Sequence, residues 1–197
     1  RDFVHSAPCW SPDGREILFA RAPAAVIDET DDDRNVLITH HLASDFLDGR
    51  REFKYDLYRV PFNGGQGGNA TPLPGASQNG MSNYFGRYSP DGRWIVFCRA
   101  QNFMLLQPDS ELMIIPSDAS APPRRMVCNT EKLNSWHSFS PNGRWLVFSS
   151  KASGAFTSLR LTHIDESGVD SPAIRLDAFV IAERAANIPE FVNLPLG

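Results

Sequence analysis

Apolar and polar positions change places along this chain in short bursts of four to eight residues rather than in helical turns. Three of the bursts share one frame: PCWSPDGREILFARA at residues 8–22, GRYSPDGRWIVFCRA at 86–100 and HSFSPNGRWLVFSSKA at 137–152. In each, an aromatic residue precedes Ser-Pro-Asp/Asn-Gly-Arg, and an apolar run follows. Proline presets the first corner of a type I turn, Asp or Asn suits the second, and glycine takes the left-handed position after it. That is the chemistry of a tight hairpin with a glycine bulge. The runs EILFARA, RWIVFCRA and RWLVFSSKA are β-branched and aromatic, as strands are. Their flanking positions are apolar too, so both faces are expected to be covered by neighbouring sheets.

Each hairpin is followed by two more strand candidates. The longer ones are YDLYRVPF (55–62), SELMIIPSD (110–118) and SLRLTHIDESG (158–168), and the shorter ones ATPLP, RRMVCN and AIRLDAF. Four short antiparallel strands repeated in tandem form the blade of a β-propeller. The spacing predicts an all-β chain with about three blades, roughly residues 1–75, 82–130 and 133–180, and a tail over 181–197. From Ser11 to Ser89 is 78 residues and from Ser89 to Ser140 is 51. A blade takes about 40–50 residues, so the first carries an insertion, placed at 23–54 between its second and third strands. No sustained helical period is expected before Val180, while VIAERAANI in the tail suits one short helix. Rings of this type close with about four to eight blades. Three make a partial propeller, to be completed by a protein partner or by the remainder of the same propeller.

Composition narrows the function. The chain has 197 residues, 19 Lys and Arg against 23 Asp and Glu, and a formal net charge of −4, with a pI near 5.7. This is not the basic face of a nucleic-acid binder, and no apolar run reaches the roughly 18 residues of a membrane helix. The chain begins at Arg1, as expected of a processed product or an internal piece. Three cysteines without C-x-x-C spacing argue against a disulfide framework and for buried thiols.

The repeated Ser-Pro-Asp-Gly-Arg hairpin with its apolar strand resembles the TolB-type, WD-like propeller repeat of bacterial envelope proteins. YDLYRVPFNGGQGG, NGMSNYFGRYSPDGRWIVF, LNSWHSFSPNGRWLVFSSK, LTHIDESG and RAANIPEFVN are similar to a subgroup of large proteins of that kind. In these the propeller is often joined to cytochrome c or helical-repeat domains. The resemblance implies a periplasmic or cell-surface location and a non-catalytic role in binding and assembly through protein–protein contact. The alternative it implies is an accessory propeller of an envelope hydrolase or redox enzyme, with a ligand at the propeller mouth.

The common catalytic motifs are missing from the sequence. There is no G-x-S-x-G elbow, the nearest stretch being GMSNYF at Gly80. H-E-x-x-H is absent, and NGGQGGNATP lacks the Lys-Ser/Thr of a P-loop, so it reads as a hairpin loop. No C-x-x-C-H haem site exists, and no cofactor is expected. One ion is a candidate: DETDDD places Asp28, Asp31, Asp32 and Asp33 close together, a density of hard oxygens that suits Ca²⁺. The EF-hand spacing is not met, so a solvated acidic loop is the competing reading. His40 and His41 are adjacent and, in a strand, would face opposite ways.

Aligning the hairpins sets Trp10, Tyr88 and Phe139 at one position, with His5, Asn83 and Asn134 five residues earlier. Residues just before each hairpin should line the innermost strand, near the axis. That would gather His137, Arg87, Asn83, Asn134, Tyr84 and Trp136 at a concave mouth, the usual form of a ligand site. The competing reading is that the asparagines fix turns and Trp136 anchors the core. Arg15, Arg93 and Arg144 follow the hairpin glycines and are expected to pair with nearby carbonyls or the hairpin Asp.

Overall fold

The structure is a computed structural model that describes residues 2–24 and 40–193. Its strands fall into three four-stranded antiparallel sheets, each in sequence order. The first holds β1 (Phe3–Trp10), β2 (Glu16–Pro23), β3 (Asp56–Pro61) and β4 (Thr71–Pro72). In the second are β5 (Ser82–Tyr88), β6 (Trp94–Ala100), β7 (Glu111–Pro116) and β8 (Arg124–Arg125). The third holds β9 (Asn134–Phe139), β10 (Trp145–Ser150), β11 (Ser158–His163) and β12 (Ile174–Arg175). The chain is all-β in class, a partial propeller of three blades.

The serine of each hairpin motif does more than begin a turn. Ser11, Ser89 and Ser140 each donate from Oγ to the Asp or Asn two residues on, at 2.7, 2.6 and 2.7 Å. Each Oγ also accepts the backbone N–H five residues on, at 3.0 Å in all three. The same Asp or Asn oxygen accepts the N–H of Arg15, Arg93 or Arg144. Gly14, Gly92 and Gly143 sit at φ 69°, 73° and 70°, a region that side chains avoid. So one network of three hydrogen bonds is built three times, and the residues of the motif are its donors, acceptors and corner.

Leu57 and Leu112 occupy the same place on β3 and β7 and are fully buried. The first two blades pack closely at Gly86 of β5, where a Cβ would come within 2.6 Å of the Leu18 side chain and 3.3 Å of Leu57. Both faces of β6 and β10 are covered as expected, but β2 alternates between buried and half-buried positions. Its outward face looks away from the second sheet and nothing described packs on it. There Arg21 lies over the Phe3 ring, 3.4 Å from its centroid, and near Tyr58.

Two expectations need correction. A short helix does precede Val180: α1 (His40–Leu47) lies in the insertion, and its Phe46 stacks on Phe103 at 4.4 Å. Asn102 locks this end of the insertion to the second blade, donating to the carbonyls of Phe46 and Arg51 at 2.9 and 2.7 Å. The tail, by contrast, forms no helix over 180–188. Its backbone is held instead by the third sheet, with the Ala186 N–H donating to Thr157 O at 3.0 Å.

Candidate functional site

The three innermost strands share an irregularity that shapes their meeting point. Each slips register against its neighbour at the same place: between Ser6 and Cys9, between Tyr84 and Arg87, and in β9 opposite Val147 and Ser149. At the slip stands a residue with left-handed backbone, Ala7 (φ 48°), Phe85 (φ 52°) and Trp136 (φ 50°). Such bulges re-aim side chains. Non-glycine residues in this region cost of order 1–3 kcal/mol each and gather at functional sites. Here they turn three strands around one hollow of about 440 Å³.

The hollow is mostly apolar, walled by Pro8, Phe85, Trp136, Met104, Leu105 and Ile188. One polar clasp crosses it. Glu190, from the tail, pairs with Arg87 at 3.1 Å and accepts from Ser138 Oγ at 2.6 Å. Arg87 and Glu190 remain about half exposed, at 46% and 49%, so both charges are open to an incoming group.

Of the residues expected at the mouth, Arg87, Trp136 and His137 line this hollow, while Tyr84, Asn83 and Asn134 lie buried behind it. Asn134 donates to Ser110 O at 3.2 Å and Thr130 O at 3.1 Å, and its Oδ1 accepts from Thr130 N and Oγ1 at 2.9 and 2.7 Å. Asn83 donates to Asn79 Oδ1 and Met81 O, and accepts from Arg99 Nε at 3.1 Å. Burial pushes the Tyr84 phenol well above its ordinary range.

His137 and Cys98 form a thiol–imidazole pair near the hollow, with Nδ1 3.7 Å from Sγ. Its electrostatics run against activation. Desolvation pushes the thiol up to about 12 and the imidazole down to about 3. A reactive cysteine needs the reverse, a thiolate beside a cation. The other ring nitrogen donates to Val96 O at 2.9 Å, which fixes the tautomer and turns the bare Nδ1 toward the thiol. Burial holds both members of the pair neutral.

Asp28, Asp31, Asp32 and Asp33, the candidate calcium ligands, lie outside the described residues, and the side chains of His40 and His41 are likewise not described. Among the described residues no group of three or more His, Cys, Asp or Glu is arranged to hold a metal ion. No helix among them is long and apolar enough to cross a membrane. Cys9, Cys98 and Cys128 are free thiols. Arg93 pairs with Asp91 at 2.6 Å and Arg15 with Asp13 at 3.6 Å, as expected, while Arg144 instead reaches Glu166. A second hollow, about 810 Å³, lies among the hairpin turns of the first two blades. Its inner charges are already engaged, Glu16 with Arg59 at 3.5 Å and with Tyr88 Oη at 2.5 Å.

The residues that sequence reasoning missed are Glu190 and Ile188 of the tail and Met104 and Leu105 of the β6–β7 loop. The tail offered a signal, because Pro-Glu-Phe at 189–191 matches the spacing of Gly-Arg-Tyr at 86–88 and His-Ser-Phe at 137–139. The loop offered none.

No family model matches the chain, and no curated protein matches it by sequence. Solved structures do. A TolB candidate from Agrobacterium tumefaciens is 20% identical, with a TM-score of 0.52 over 88% of this chain and 49% of its own. An oligogalacturonate lyase in complex with manganese is 15% identical, with a TM-score of 0.58 over 89% of this chain and 42% of its own. A dipeptidyl aminopeptidase IV candidate from Bacteroides ovatus is 12% identical, with a TM-score of 0.50 over 89% and 29%. This chain spans less than half the length of each. The likeness establishes a TolB-like β-propeller fold.

Proposed function

We propose that this chain is a non-catalytic binding module of a bacterial envelope assembly, and that its partner is a protein segment seated in the axial hollow. The observation that carries the reading is the convergence of three bulged inner strands on a mostly apolar hollow crossed by one open charge pair. A few convergent polar groups in an apolar concavity orient a bound chain, and aromatic and Arg side chains such as Trp136 and Arg87 are the usual anchors of protein contacts. The burial that holds His137 and Cys98 neutral supports binding over turnover. The periplasm or the cell surface is the location proposed with it.

Affinity capture from an envelope fraction tests the reading. The protein that co-purifies with the wild type should be lost with Trp136→Ala and Arg87→Ala and kept with Asp118→Ala, at the far hairpin end. Equal capture by all four proteins would refute the proposed site. Turnover of a substrate at the hollow that survives purification to homogeneity and is abolished by His137→Ala would favour the enzymatic reading instead.

A further inference from the structure

The tail repeats the path of β5 and β9 residue by residue. The N–H of Asn83 donates to Tyr55 O at 2.7 Å, that of Asn134 to Ser110 O at 3.0 Å, and that of Ala186 to Thr157 O at 3.0 Å. These anchors lie 51 and 52 residues apart. Two residues beyond each stands the left-handed position, Phe85, Trp136 and now Ile188 at φ 53°. The neighbour on the preceding sheet is matched as well: Cys98 Sγ approaches Asn134 O at 3.8 Å, and Ser149 Oγ donates to Ala186 O at 2.7 Å. Two residues after the bulge, Arg87, Ser138 and Glu190 meet at the axis. Four independent features therefore assign residues 186–191 the place of an innermost strand. Among the described residues no strand pairs with them and no sheet includes them.

We infer that residues 186–191 are the inner strand of a fourth blade, and that their open edge takes a β-strand from an element lacking an inner strand of its own. The two complete copies of this junction define the chemistry of that strand. Strand alternation sets the faces. On β6, beside β5, Arg99 reaches Gly75 O of the first blade while Cys98 faces His137 of the third, so Ile95 and Phe97 turn back onto the first sheet. On β10, beside β9, Ser150 meets Thr130 of the second blade while Ser149 faces Ala186, so Leu146 and Phe148 turn back onto the second. Ile95, Phe97, Leu146 and Phe148 are fully buried. The incoming strand must then place an aliphatic residue and, two places on, an aromatic one against the third sheet. The apolar surface that awaits them is uncovered: Phe179 is 63% exposed, whereas Ala76, at its place in the first blade, is fully buried. A second copy of this chain docked in the same ring register does not fit the edge, because its β1 already fills the inner place beside its own β2. An unpaired edge with backbone groups free is a template for strand addition. The inference stands apart from what occupies the axial hollow.

The probe is a peptide of the chain's own residues 92–101 with Cys98→Ala and a lysine tail for solubility. Added to the whole chain, it should slow amide hydrogen exchange at residues 186–192 at least tenfold and leave β5 and β9 unchanged. The same peptide with Ile95→Ser and Phe97→Ser should lose at least tenfold in affinity. Protection confined to β4, β8 or β12, equal binding of the two peptides, or no protection at millimolar peptide would each overturn the inference. So would a chain that is dimeric by light scattering with residues 186–192 already protected, which would make a second copy the occupant. None of these outcomes depends on Trp136 or Arg87, so a failure of the axial site would leave this result standing.

Discussion

Asn134→Ala separates the two roles open to the buried asparagines. The side chain makes four hydrogen bonds, two to the carbonyls of Ser110 and Thr130 and two from Thr130. Thr130 Oγ1 and Ser110 O each keep a partner without it, Ser150 Oγ at 2.6 Å and the Asn134 N–H at 3.0 Å, so the Thr130 N–H and carbonyl are the two groups orphaned. At about 1 kcal/mol net each, in a part-buried site, the loss is about 2 kcal/mol. Urea unfolding should show this as a lower midpoint at unchanged slope. Capture of the partner should be intact at a temperature where the variant is folded. Asn134→Asp adds a second signature. Its carboxylate would face the two carbonyl oxygens, so its folded-state pKa is raised. Stability is then lost above the unfolded carboxylate pKa of about 3.9 and regained as pH falls toward it. A loss below about 1 kcal/mol for Asn134→Ala, together with loss of the partner, would refute the turn-closing role and return Asn134 to the binding surface.

His137 should make folding sensitive to acid. Its folded pKa lies near 3 against 6.5 when free, so between those values the unfolded chain binds one more proton. Stability should rise with pH across that window, by up to about 1.4 kcal/mol per unit from this group, and level off above 6.5. His137→Phe should flatten that slope in urea titrations at pH 4, 5 and 7, and an unchanged slope would mean the ring is protonated in the fold. Ser89→Ala removes two bonds at a buried hairpin and should cost about 2 kcal/mol; a cost within 0.5 kcal/mol, a threshold taken from ordinary surface changes, would deny the network its role. Gly92→Ala, forced to φ 73°, should lower stability by about 1 kcal/mol or more in the same assay.

The parts of the fold legible in the sequence are those whose local chemistry and tertiary role agree. Ser-Pro-Asp-Gly-Arg encodes its own hairpin network, and β6 and β10 after it are apolar because two faces are covered. The helix α1 was hidden because eight residues in a long insertion carry too short a period to stand out. In the tail, the Ala, Glu and Arg of VIAERAANI favour a helix locally, but the bond from Ala186 to Thr157 and the bulge at Ile188 impose an extended path. That path lacks the Ser-Pro that marks the other three, since Val192 and Asn193 follow Phe191. At the site, repeat alignment brought out Arg87, Trp136 and His137 as hollow-lining residues. It could not separate them from Asn83 and Asn134, because a bulge reverses which neighbours face the axis.

Site-specific photocrosslinking in the producing cell tests the binding account most directly. A crosslinking residue in place of Leu105, on the wall of the hollow, should yield one discrete protein adduct, with contacts mapping to a single segment of the partner. The same residue in place of Asp118 should yield none. Adducts from both positions alike, or from Asp118 only, would contradict the claim that the axial hollow is where this propeller binds.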